Sequence, residues 1–158
     1  MEVLEHAFVI SLQNRKILNK FLEETPRDQL LQIPEGFRNN IWWNIAHVVV
    51  TQQLLIYKLS GQPMRVDTAL VEKFQKGTVP DGTATEEEIN KIKELLFATV
   101  EWAQQDYASG LFSDFQEYTA SVNVTLSSVE DAIVFNVFHE GLHTGAVLSL
   151  LKALKRNG

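Results

Sequence analysis

The chain has 158 residues, 45% of them hydrophobic, enough for one well-buried domain over residues 1–158 and too few for two ordinary ones. Fourteen Lys and Arg against twenty Asp and Glu give a net charge of -6 without a basic cluster, so nucleic acid is not an expected partner. The absence of cysteine excludes a disulfide framework, a thiolate metal site and a cysteine nucleophile, and the absence of a signal-like opening or a spanning apolar run leads us to expect a soluble, cytoplasmic protein without membrane contact.

Ala7, Ile10, Ile17 and Phe21, with Leu18 and Leu22 beside them, predict an amphipathic helix over Glu2 to Glu24 in which Asn14 is the polar member of the stripe. A short turn follows, with Thr25 as a cap, Pro26 at the first helical position and Asp28 at the third. Pro34 and Gly36 then break the chain. A second long helix begins near Asn39 or Asn40, and its stripe of Trp43, His47, Val50, Leu54 and Tyr57 ends at Ser60, Gly61 and Pro63.

Gln62 to Ala84 reads as a long connection, interrupted by Pro63, Gly77, Pro80 and Gly82, that must pass from one helix end to another. Thr85 and Glu88 form a capping box for a third helix with the stripe Ile89, Ile92, Leu96, Thr99, Ala103, ending near Asp106 to Gly110. Leu111 to Leu126 is aromatic and then alternating, a short strand-like excursion or an extended loop. Ser127 and Glu130 suggest a second capping box, opening a helix to about Arg156 with the stripe Val129, Ala132, Asn136, His139, His143, Ala146, Leu150, Ala153. Four such helices predict an all-α four-helix bundle.

Three of the four histidines, His47, His139 and His143, fall on predicted inward stripes where leucine is the ordinary choice. Residues four apart on a helix have side-chain bases about 6 Å apart, so His139 and His143 can present nitrogens to one ion, and His47 can supply a third from a facing helix. Such a set suits zinc, nickel, copper, iron or cobalt and leaves coordination positions open. A hydrogen-bonded core histidine is the plainer alternative for each taken singly. His6 lies off the stripe, at the surface.

Metal-bound histidines usually donate their second nitrogen to a partner, and Asn44, Asn136 and Glu140 are the candidates. Asn14, Thr51 and Thr144 are further polar positions near the three histidines. His139-Glu140-Gly141-Leu142-His143 also matches H-E-x-x-H, which would make Glu140 a general base. Against a protease, no His, Asp or Glu follows His143 to act as a third ligand, and Gly141 weakens the motif helix. A salt-bridged helix face is the alternative for Glu140. Of Trp42 and Trp43, the one on the stripe is expected in the core and the other at a pocket mouth or subunit contact.

Trp43-x-x-x-His47 on the second helix and His139-x-x-x-His143-x-Gly145 on the last give a sequence that resembles the DinB family over essentially its whole length. The resemblance implies a four-helix bundle in which His47, His139 and His143 hold a divalent metal, taken as nickel or zinc. It also implies thiol-dependent S-transfer or isomerisation with a bacillithiol- or mycothiol-like cosubstrate, and a homodimer as the assembly; with the open metal position we expect a metal-dependent transferase or hydrolase acting on a small-molecule substrate. A non-enzymatic, metal-stabilised dimerising bundle is the alternative. Many members read His-Arg-Gly-Gln where this chain has His143-Thr144-Gly145-Ala146, so the basic and amide side chains are missing from that position.

Overall fold

Six helices and one small hairpin make up the computed structural model, which describes residues 2–156. The helices are α1 (Glu2–Glu24), α2 (Arg27–Leu31), α3 (Ile41–Gln53), α4 (Thr68–Phe74), α5 (Glu86–Ala108) and α6 (Val129–Arg156). The hairpin pairs β1 (Tyr118–Thr119) with β2 (Thr125–Leu126), Tyr118 opposite Leu126, and Asn123 takes a positive φ in its loop. The four long helices form the expected all-α bundle. No described helix is long and apolar enough to cross a membrane.

Helix directions follow from which residues meet. Asn14 and Arg15 of α1 reach Glu140 of α6, while Leu18 and Leu22 share a cluster with Val147 and Leu150, so α1 and α6 run the same way. Gln52 and Tyr57 meet Thr99 and Asp106, which makes α3 and α5 parallel to each other. Parallel neighbours need a connection as long as the helices themselves. That is the length requirement met by residues 62–84, which are not bare loop as expected but contain α4, whose Val71 and Phe74 are buried against α3.

Helix α3 is buried almost all round because Ile41 to Val50 is apolar on every side, with Asn44 and His47 the exceptions. Asn40 caps it, its Oδ1 accepting from Trp43 N at 2.7 Å. Beyond Gln53 the helix widens into a π-helical turn, Leu54–Lys58, closed by Leu59 N donating to Leu54 O. The extra residue rotates the register. Leu55, Ile56 and Tyr57 face inward there, and Leu54, expected on the stripe, is half-buried.

The buried line of α1 also differs from the expected one. It runs through Leu4, Phe8, Ser11, Arg15, Leu18 and Leu22, whereas Ile10 and Ile17 are exposed. The α2 turn starts one residue later than expected, with Pro26 at the cap and no capping bond from Thr25. The Thr85–Glu88 capping box forms in full. The cap of α6 is displaced by one residue: Ser128 Oγ accepts from Asp131 N and Asp131 accepts from Ser127 N, while Glu130 receives the Tyr107 hydroxyl. Aspartate at the third helical position reaches back as glutamate would.

Candidate metal centre

The antiparallel pairing of α3 with α6 brings His47 against His139 and His143, with ring centroids 5.2 and 4.6 Å away, and 4.5 Å between the latter two. One ring nitrogen from each lies within 4.8 Å of the others. His47 is 4% exposed, whereas His139 and His143 are half-buried, on the flank of a buried line formed by Asn136, Glu140 and Val147. His6 is exposed.

Each ring is held from outside the cluster. The carbonyl of Phe74, at the end of α4, lies 2.6 Å from Nδ1 of His47; a carbonyl only accepts, so Nδ1 carries the proton and Nε2 keeps its lone pair. Nδ1 of His143 lies 2.8 Å from Asn44 Oδ1, and Asn44 Nδ2 donates to Asn39 Oδ1 and Asn40 O, so the amide oxygen must be the acceptor. His143 thereby also presents Nε2. The buried Nδ1 of His139 has no hydrogen-bond partner among the described residues. An orphaned imidazole nitrogen beside two lone pairs of like kind fits a shared divalent ion.

Trp43 stacks on His47 with centroids 4.4 Å apart and planes 13° from parallel, and its Nε1 donates to Thr78 Oγ1. Both tryptophans are buried, Trp43 at 7% exposure as expected of the stripe residue, whereas Trp42, at 2%, is core and not at a pocket mouth or subunit contact. Trp43, on the stripe, walls the histidines, and Trp42 is core, edge-on to Phe74. Thr51 Oγ1 stands 3.2 Å from His47 Nε2.

Burial keeps the cluster neutral. Desolvation lowers the pKa of His139 to about 2, assisted by His143, His47 and Arg15, and that of His143 to about 4, assisted by His47. His47 is lowered as well, chiefly by burial and against the pull of the Phe74 carbonyl. Neutral imidazole is the ligating form.

Of the three residues expected to hold the histidines' second nitrogens, only Asn44 does so. Asn136 Nδ2 donates instead to Glu140 Oε1 at 2.8 Å, and Glu140 is paired with Arg15, whose Nη2 and Nε reach the same oxygen at 2.7 and 3.0 Å. Asn14 donates to the other carboxylate oxygen and accepts from Thr144. With its side chain 1% exposed and three neighbours donating to it, Glu140 lacks the access a general base requires. Arg15 also donates to Leu96 O and Val48 O, tying α1 to α5, α3 and α6 behind the histidines.

Asn44→Ala is expected to weaken binding of zinc roughly 10- to 100-fold, since the imidazole of His143 loses the partner that orients it, while Asn44→Asp keeps the acceptor and most of the affinity. Competition against a chromophoric chelator measures this. Equal affinities in the parent and the alanine variant would remove Asn44 from the site.

The sequence model of the DinB superfamily matches residues 12–147, a span that includes all three histidines, Arg15 and Glu140. No curated protein matches the chain.

Proposed function

We propose that this chain, which belongs to the DinB superfamily, uses His47, His139 and His143 to hold a divalent ion at which a small molecule reacts, by thiol S-transfer or hydrolysis. The carrying observation is the convergence of three neutral imidazoles within 4.8 Å, two of them with Nδ1 committed to oxygen acceptors. An ion so held supplies Lewis acidity, lowering the pKa of a coordinated water or substrate thiol towards neutrality.

The protein's own part is orientation and access. Phe74 O and Asn44 fix two rings, Trp43 covers one side of His47, and the incomplete burial of His139 and His143 supports a site that a small molecule can reach. No cysteine stands ready as a nucleophile, so a thiol in the reaction comes from a cosubstrate such as a bacillithiol- or mycothiol-like compound. Zinc and nickel both suit the donor set.

The test begins with the metal content of untagged protein purified without added metal, beside a folded His47→Ala/His139→Ala/His143→Ala variant. About one equivalent in the parent and almost none in the variant is the expected result. The cobalt-substituted parent should then change its visible spectrum on addition of azide or a small thiol, because a reactive site keeps an exchangeable position. An inert spectrum would assign the ion a purely structural role, and a parent that also rejects added zinc and nickel would end the metal reading.

A further inference from the structure

Thr51 lies one turn beyond His47 on α3, as Trp43 lies one turn before it, so the imidazole sits between the indole and the hydroxyl. Thr51 Oγ1 is 3.2 Å from Nε2 and 3.4 Å from Nδ1. A point nearly equidistant from both nitrogens at this range stands over the ring, because a position in its plane would overlap the ring carbons. The in-plane directions stay clear, Nδ1 towards the Phe74 carbonyl and Nε2 towards an ion. Thr51 therefore does not block the nitrogen that ligates.

The hydroxyl also leaves its ordinary acceptor unused. A serine or threonine inside a helix commonly donates to the carbonyl four residues back. Thr99 does so to Leu95 O at 2.7 Å, Thr144 to Glu140 O at 2.9 Å and Ser149 to Gly145 O at 3.0 Å. Among the described residues, Thr51 has only the two imidazole nitrogens as neighbours of this kind. Neither is placed to take its proton, since Nδ1 carries one of its own and the Nε2 lone pair lies in the ring plane. Thr51 is half-buried, so an uncommitted donor stands on the wall of the centre beside a ligating atom.

The function proposed above, on which this inference rests, requires a coordination position for a second molecule. We propose that the Thr51 hydroxyl donates to the atom in that position and so selects ligand atoms that keep a lone pair once bound, the oxygen of hydroxide or a carboxylate or the sulfur of a thiolate. An amine or imidazole spends its one lone pair on the ion and gains nothing from the hydroxyl. The β-branched side chain has few rotamers in a helix, so little freedom is lost when the bond forms.

Cobalt-substituted Thr51→Val tests this, because valine has the same shape without the hydroxyl. The variant should take up cobalt as tightly as the parent, having lost neither a ligand nor the partner of one. Its affinities for azide and mercaptoethanol, read from the visible spectrum, should fall about 10-fold, the worth of one hydrogen bond to a charged acceptor. Its affinity for imidazole should not change. Thr51→Ala should repeat the valine result, and Thr51→Ser should restore the parent's values. Azide held equally by parent and valine variant, azide and imidazole weakened together, or cobalt itself lost from the variant would each overturn the role of Thr51 while leaving the metal site standing. A parent that takes up no cobalt, or whose spectrum ignores all three ligands, would instead remove the reading on which that role rests.

Discussion

Arg15→Met should destabilise the fold by about 3–5 kcal/mol, lowering the thermal midpoint by on the order of 10 °C. The guanidinium and the Glu140 carboxylate are both sealed from solvent, with side chains 0% and 1% exposed. Removing the cation leaves a desolvated anion whose remaining partners, Asn14 and Asn136, carry no charge. The double variant Arg15→Met/Glu140→Gln should recover most of the loss, since a neutral amide needs only hydrogen bonds. Urea unfolding of the four proteins measures the coupling. A single variant costing less than about 1 kcal/mol, or a double variant worse than the sum of the singles, would contradict a closed ion pair.

The second large effect concerns metal and acid together. In the apo protein, the histidines have folded pKa values below the unfolded value of about 6.5, so the unfolded chain binds more protons as pH falls through the window beneath it. Their stabilising contribution is therefore fully present above about pH 6.5 and is lost on acidification, down to about pH 4 for His143 and about pH 2 for His139. By pH 5 the loss is about 2 kcal/mol for each of these two. Saturating zinc acts in the opposite direction, adding about 4 kcal/mol when free metal stands at roughly 1,000 times its Kd. Denaturant midpoints from pH 7 to 5, with chelator and with zinc, should show a steep acid loss in the apo parent and a shallower one in the triple-alanine variant. Identical pH profiles for the two proteins would mean that the cluster is not the acid-sensitive element.

Much of this was legible before the structure. The long helices, the Thr85–Glu88 capping box and the three histidines all follow from spacing, because amphipathic period and cap chemistry act over a few residues, whereas the Ser127–Glu130 box misses the true cap by one residue. Arg15 escaped for a local reason: α1 carries two plausible stripes. The one through Ala7, Ile10 and Ile17 contains more β-branched apolar residues, while the buried one through Leu4, Phe8 and Leu18 carries a charge at its centre. A charged residue on a mostly apolar line, three residues before Leu18, four after Ser11 and seven after Phe8, was the available signal. It points to a buried partner, and Glu140, also within an apolar helix, was the one acid suited to it.

Other features had no signal to read. The π-helical turn after Gln53 is a choice of hydrogen-bond register, settled by how Leu55, Ile56 and Tyr57 pack. Helix α4 is seven residues long, too short for periodicity to identify, and it is stable because Val71 and Phe74 find a core.

The carbonyl of Phe74 that orients His47 belongs to the backbone, so any residue type at position 74 can provide it. A scan of side chains therefore samples the burial of the Phe74 ring and never the group that faces the imidazole. What sets that group is the route of the chain from Gln62 to Ala84. Deleting or inserting a residue within that crossover should therefore alter the centre without changing the identity of a single histidine.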